Sequence, residues 1–329
     1  MLAPHLDKNF DTKEMASVPS RNGYGEGLLE TGRRDERVVA LAADLTESTR
    51  TLPFAEEFPN RFIQVGITEQ NMASVASGMA AMGKIPFIAS YAMFSPGRNW
   101  EQIRTTIAYN DSNVKIIGAH AGVSVGPDGA THQAIEDIAL MRVVPNMIVI
   151  APADVHEARK ATIAAVKHNG PVYIRLGRSN TPVVTTPESP FEIGKAEVFY
   201  EADSQLKKQI GIIVTGTLVF NALKSAKLLE TEGIGVTVLH VPTIKPLDCA
   251  AIEKLAKEHE ILITVEEHQK AGGLGSAVAE YLSEVFPKKI IRIGVSDQFG
   301  QSGEPDELIA HYGMGIDSIV SAGRLGVKA

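Results

Sequence analysis

Short apolar, β-branched runs recur along the chain and alternate with stretches of helical period. VVALAA (38–43), FIQVG (62–66), IPFIAS (85–90), VKIIGA (114–119), MIVIA (147–151) and VYIRL (172–176) are apolar on both faces. That pattern predicts parallel strands covered by helices on either side. The intervening helices carry start and stop signals. QNMASVASGMAAM ends at Gly83, which suits a left-handed C-cap. DVHEARKATIAAVKHN opens on Asp154 with Glu157 close behind, a variant capping box, and stops at Gly170. A second series follows with GIIVTG (211–216), VTVLHV (236–241), ILITVEE (261–267) and IIRIGV (290–295), and helices are expected around 217–231, 249–258 and 273–285. Between the two series SNTPVVTTPESPFE (179–192) carries three prolines and reads as an extended linker. The pattern predicts two α/β domains with right-handed crossovers. Their expected bounds are 18–180 and 195–329, with a tail over 1–17 and a linker over 181–194. The first ~15 residues are expected to be disordered.

Composition narrows the function classes. A chain of 329 residues can bury two cores of ordinary size. The net charge of −7 argues against nucleic acid or an anionic membrane as the main partner. Cys249 is the single cysteine, which rules out an intrachain disulfide and suits a reducing compartment. The opening MLAPHLDKNFDTKEMASVP lacks the apolar stretch of a signal peptide. No run approaches the roughly 18 apolar residues of a membrane span. A soluble, cytoplasmic protein is expected.

Chemistry concentrates where predicted strands end, the usual place for ligands in parallel α/β sheets. HAGVSVGPDGATHQ (120–133) brings His120, Asp128 and His132 onto a glycine-rich loop. Imidazoles there suit proton transfer at neutral pH. The same residues also read as a surface turn, with Thr131 capping a helix and His132 in its first turn. GITEQN (66–71) places Glu69 behind a candidate N-cap, Thr68, where a glutamate also simply complements the helix dipole. Arg21, Ser48 in DLTES and Arg178 in LGRSN mark three further junctions, suited to a phosphate or to solvent. Tyr91, Phe94 and Trp100 in YAMFSPGRNW offer either a stacking wall for a flat heterocycle or core packing. KAGGLGSAVAEYL (270–282) suggests anion binding at a helix start, but Val278 stands where a dinucleotide fingerprint needs glycine, and Glu266 and Glu267 precede it. His5, His156, His168, His240, His259, His268 and His311 show no metal-ligand spacing, so no zinc or copper site is expected.

In order along the chain, ADLTES, GITEQNM, SYAMF, HAGVSVGPDGATHQAIED, PADVHEA and IRLGRSN resemble the carboxyl-terminal half of transketolases. EEHQKAGGLGSAVAEYL and SDQFGQSGEPDELIAHYGM resemble that family's carboxyl-terminal domain. The resemblance covers the chain from about residue 18 onward. It implies a parallel-sheet pyrimidine-binding domain followed by a smaller transketolase carboxyl-terminal domain. It also implies thiamine diphosphate and a divalent metal, Mg2+ or Ca2+, and transfer of a two-carbon ketol group between sugar phosphates. The family's GDG and asparagine-pair motifs, which hold diphosphate and metal, are missing here. The chain therefore looks like the small subunit of a split transketolase. A partner subunit would supply those motifs, and two copies of each chain are expected.

Residue by residue, the resemblance makes Glu69 the carboxylate that exchanges a proton with the aminopyrimidine ring. Phe94 would pack against that ring, with Tyr91 and Trp100 as neighbours. His120 and His132 would line the substrate channel and shuttle protons. Asp128 would read a sugar hydroxyl, and Arg21, Ser48 and Arg178 would bind the substrate phosphate. Gln70 stands where many full-length members carry a histidine, and SPGR inserts one residue after Phe94. The small-residue face of helix 70–82 (Ala73, Ala76, Ser77, Ala80) suits a subunit contact or a tight core. Three other readings compete: the beta subunit of a 2-oxoacid dehydrogenase, a synthase joining pyruvate to a triose phosphate, and an inactive transketolase-like binding module.

Overall fold

The computed structural model describes residues 1–10, 12 and 14–328; Asp11 and Lys13, within the expected tail, and Ala329, at the end of the expected second domain, lie outside them. The strands are β1 (Ser17–Pro19), β2 (Val38–Ala42), β3 (Phe62–Gln64), β4 (Ile85–Tyr91), β5 (Lys115–Ala119), β6 (Ile148–Ile150), β7 (Val172–Arg175), β8 (Asn180–Pro182), β9 (Glu197–Glu201), β10 (Lys208–Val214), β11 (Gly235–His240), β12 (Thr243–Lys245), β13 (Ile261–Gln269) and β14 (Ile290–Val295). Main helices are α1 (Ser20–Arg34), α2 (Leu52–Glu57), α3 (Glu69–Ala81), α4 (Trp100–Gln102), α5 (Asp137–Arg142), α6 (Val155–Lys167), α7 (Val219–Thr231), α8 (Cys249–Glu258), α9 (Leu274–Val285), α10 (Pro305–His311) and α11 (Ile316–Lys328).

The first sheet runs β12-β6-β7-β5-β4-β2-β3 and the second β14-β13-β10-β11-β9. Both are parallel, apart from the edge strands β12 and β9. Every residue of β2 and β5 is buried, which explains runs apolar on both faces. Two of the predicted helix signals act as expected. Asp154 caps α6 by accepting from the N–H groups of His156 and Glu157, and Gly83 takes φ +83° just past α3. Helices α1 and α6 pack unusually close. A Cβ at Gly23 would lie 1.9 Å from the Val155 carbonyl oxygen and one at Gly27 2.8 Å from Thr162.

Several expectations need correction. The amino-terminal residues are docked rather than disordered. Leu6 and Phe10 are buried, Leu2 bridges to Tyr200 and Leu6 to Thr185. The linker is extended but tied down, because β8 pairs antiparallel with β1 and Val183, Val184 and Thr185 are buried. Thr68 precedes α3 without capping it, since its hydroxyl donates to the Val65 carbonyl instead. On α3, Ala73 and Ala76 are buried in the chain's own core and Ser77 donates to the Thr106 carbonyl at 2.6 Å, so these three serve an internal contact. The helix start after β13 is already filled. Glu266 accepts from the N–H groups of Leu274 (2.7 Å) and Gly275 (2.8 Å), which leaves no place for an outside anion. Burial pushes the Glu266 carboxyl up to about 7 against the pull of those donors.

The two halves share one packed interior. Val149 and Ala151 of the first half cluster with Ile213, Leu239, Leu255 and Leu274 of the second. Strand β12, from the second half, extends the first sheet by pairing with β6. No helix among the described residues is long and apolar enough to cross a membrane.

Candidate active site

The carboxyl ends of β2, β3, β4, β5 and β7 all open onto one edge of the first sheet, and the candidate residues lie in the loops that follow them. Ser48 follows β2, Glu69 follows β3, Tyr91 and Phe94 close β4, His120 to His132 follow β5, and Arg178 follows β7. Arg21 reaches the same edge from the first turn of α1.

These side chains form a continuous wall. Arg21 Nη1 donates to the Ser48 carbonyl at 2.8 Å and lies 3.0 Å from His120 Nε2. The His120 ring stacks on Tyr91 with centroids 3.8 Å apart, and Tyr91 stacks on Phe94 at 6.0 Å. His132 meets Phe94 edge-on at 5.6 Å. Arg98 lies over the Phe94 ring at 4.9 Å and donates from Nη1 to Glu69 Oε2 at 2.8 Å. Glu69 is 1% exposed, so that carboxylate is buried and tied to the aromatic wall through Arg98.

The electrostatics are one-sided. Among the described residues Arg21, Arg50 and Arg178 make no ion pair. Arg50 Nε donates to Asn22 Oδ1 and Arg178 Nη1 to the Val125 carbonyl, both neutral acceptors. Burial, then Arg50, pushes the Arg21 guanidinium below its usual value, and its buried Nε has no partner among the described residues. A guanidinium always donates, so His120 Nε2 must accept and the ring proton sits on Nδ1. That Nδ1 is buried without a partner among the described residues. Burial first, then Arg21, Arg178 and Arg50, holds the His120 imidazole down at about 3. It is neutral at physiological pH, unlike the freely titrating imidazole expected for moving protons.

His120 also takes φ +55°, the left-handed region that disfavours most side chains. Its stability effect has a definite sign. An unfolded histidine takes up a proton near pH 6.5, whereas folded His120 refuses one until about 3. Stability therefore falls as pH drops through that window, with a slope approaching about 1.4 kcal/mol per pH unit. Asparagine neither titrates there nor resists a positive φ. The thermal midpoint of His120→Asn relative to the parent is expected to rise as pH falls from about 7.5 to about 5.5. Melts across that range check this, and a pH-independent difference would contradict it.

The other candidates stand in different relations to that wall. Trp100 donates from Nε1 to the Leu140 carbonyl at 2.9 Å and packs on the core, outside the ring cluster. Asp128 is exposed and makes no hydrogen bond or ion pair among the described residues. Thr131 caps no helix, because the loop runs on to α5, and its hydroxyl instead meets His132 Nδ1 at 2.9 Å. The loop is no surface turn: Ala121, Val123, Val125 and Gln133 are buried. Ser48 contributes its carbonyl to Arg21. Arg50 and Arg98 were not singled out from the sequence. Arg98 stands in the quoted SPGR, and a basic residue one turn beyond the aromatic pair was the available signal.

Two domains of parallel sheet, with a buried carboxylate, an aromatic wall and a basic rim on one sheet edge, define a two-domain α/β protein with a candidate ligand site at that edge. The transketolase pyrimidine-binding domain matches residues 16–184 and the transketolase carboxyl-terminal domain residues 200–319. A Methanocaldococcus jannaschii protein named for a transketolase C-terminal section is 45% identical over 302 residues, covering 91% of this chain and 93% of its own length. A 6-deoxy-6-sulfo-D-fructose transketolase subunit of Clostridium sp. is 39% identical over 302 residues, covering 92% of each chain. A solved structure described as a split gene transketolase, inactive beta4 tetramer, superposes with a TM-score of 0.87 at 43% identity, covering 94% of this chain and 99% of its own. The chain belongs to the transketolase family.

Proposed function

We propose that the chain is the small subunit of a split transketolase that moves a two-carbon ketol group from a ketose phosphate to an aldose phosphate. One observation carries the substrate class. Three guanidinium groups converge on neutral His120 without a carboxylate to balance them, a setting that favours an anionic substrate group. The buried Glu69, linked through Arg98 to the Phe94–Tyr91 stack, fits a flat, protonatable heterocycle such as the aminopyrimidine of thiamine diphosphate. When bound, that cofactor supplies the thiazolium on which the two-carbon unit is carried.

The chain's own groups then have distinct tasks. Glu69 holds and returns a proton at the cofactor's ring nitrogen, and Arg98 orients its carboxylate. His120 offers Nδ1–H to a sugar oxygen, His132 exchanges protons beside it, and Asp128 reads a neighbouring hydroxyl. Arg21, with Ser48 and Arg50 beneath it, and Arg178 grip the terminal anion. The 6-deoxy-6-sulfo sugar named for the clostridial relative also carries an anionic group at its far end. The diphosphate and its metal would be held by an amino-terminal subunit carrying GDG, and the inactive beta4 neighbour supports such partner dependence. Two copies of each chain and a cytoplasmic setting complete this reading.

The test is turnover of ketose and aldose phosphates by the chain alone and after mixing with a large subunit, thiamine diphosphate and Mg2+. Activity is expected only in the mixture, and a mixture inactive towards every sugar phosphate would overturn the proposal. In the active mixture, Arg178→Ala is expected to raise KM for a phosphorylated acceptor about tenfold or more with kcat nearly kept, the pattern of lost ground-state binding. Steady-state kinetics against a non-phosphorylated aldose, which should show no such change, checks it.

A further inference from the structure

We infer that Glu267, from the second domain, is a positioning residue that fixes His120 in the first. His120 occupies a disfavoured backbone conformation on a long glycine-rich loop, so its surroundings must over-determine it. The loop is held at several points. Gly122 N–H donates to the Ala134 carbonyl at 2.7 Å, and Gln133 Nε2 donates to the carbonyls of Val123 (3.0 Å) and Gln301 (2.9 Å). The contact nearest His120 in sequence from outside the first domain is the Glu267 carboxylate. Its Oε1 accepts from Ser124 N–H at 2.7 Å, and its Oε2 from the Thr217 hydroxyl at 3.1 Å.

The packing is closer than a hydrogen bond alone requires. Gly122 has φ +88°, and a Cβ there would fall 2.2 Å from Glu267 Oε1, so bare backbone rests on the carboxylate. Glu267 is 3% exposed, and its strand is fixed in turn. Arg175 Nη2 donates to the Glu267 carbonyl at 2.7 Å, and Gln269 N–H to the Ile135 carbonyl at 2.8 Å. An anchored carboxylate thus clamps the chain four residues beyond His120. A shorter side chain at 267 would free Ser124 N–H and let the backbone of 120–124 relax. Glutamine would keep an acceptor for that N–H.

The inference depends on the proposed function only in giving His120 a substrate, so the test separates the two. Ring 15N signals of histidine-labelled free chain, with His120 assigned through His120→Asn, report its tautomer. In Glu267→Ala they are expected to move by several ppm towards the averaged-tautomer range, while Glu267→Gln leaves them in place. With the large subunit and cofactor, kcat/KM should fall roughly 10–100-fold in the alanine variant, the cost of a small misplacement. The glutamine variant should stay within about threefold. Unmoved His120 signals in folded Glu267→Ala overturn the inference. Moved signals with unchanged turnover support the positioning and count against the substrate role of His120. Should the alanine variant not fold, Thr217→Val releases one side of the carboxylate. A smaller shift in the same direction supports the inference, and none overturns it.

Discussion

Replacing Glu69 with alanine is expected, under the proposed function, to slow ketol transfer by the two-subunit mixture about 10²–10⁴-fold, the usual worth of a positioned acid–base group. The carboxylate sits at the first position of α3, 1% exposed, with Arg98 Nη1 2.8 Å from one oxygen and Asn99 Nδ2 3.1 Å from the residue's own carbonyl. Alanine deletes the carboxylate proposed to exchange a proton while leaving the helix and wall in place. Glutamine keeps the shape and a hydrogen bond but cannot exchange the proton, so its rate should fall nearly as far. Folding should suffer little, since Arg98 is half exposed and water can take over its charge. Rates in the two-subunit mixture, with a thermal melt of each free variant, check both statements. Wild-type turnover by Glu69→Ala would remove the carboxylate from the mechanism.

The largest effect on stability is expected at Arg175. Its Nε donates to Asp137 Oδ2 at 2.9 Å and its Nη2 to the Glu267 carbonyl, while the Tyr173 hydroxyl donates to Asp137 at 2.6 Å. Arg175 is 7% exposed and Asp137 1%, so neither charge has water to fall back on. Burial works against the Arg175 cation, yet Asp137, Glu267 and Tyr173 together more than offset this and raise the guanidinium above its usual value. Methionine would fill similar space but leave Asp137 buried with a single hydroxyl donor. A loss of about 3–5 kcal/mol is expected, a large share of the stability of a typical domain. Urea titrations of Arg175→Met, Asp137→Asn and the double variant check this. The double variant should cost clearly less than the sum of the singles, because the pair is coupled. Simple additivity would show that the two do not work as a unit.

Most of the sheet framework was legible because a strand buried on both faces announces itself as an uninterrupted apolar run. The misses have a common cause in tertiary context. Thr243–Lys245 is too short and too closely flanked by prolines to read as a strand, and it exists because Ile150 and Val149 offer an edge. Leu6 and Phe10 give no periodic signal, and their place is set by a distant surface. Helix Ile316–Lys328 carries Gly323 and Gly326, which weaken its propensity, although small residues there admit close packing against Leu229 and Ile261. In the site, His120, Tyr91 and Phe94 were legible because each stands at or just after the end of a strand. Arg50, Arg98 and Glu267 were not, since an isolated charge in sequence does not say what it will face. Glu267 meets Ser124 across 143 positions, a separation no local pattern spans.

The small ribbon of β1 and β8 sets how the cations of residues 21 and 178 are spaced. Pro19 pairs with Asn180, and from that rung Arg21 lies two residues forward while Arg178 lies two residues back. Gly177 N–H donates to Ser20 Oγ at 2.9 Å, a further rung on the same side. The two cationic jaws are thus hinged on one backbone pivot, as in a caliper locked at a fixed opening. Under the proposed function both side chains hold the same terminal anion, so the size of the group accepted there follows the reach of residues 21 and 178 from that pivot.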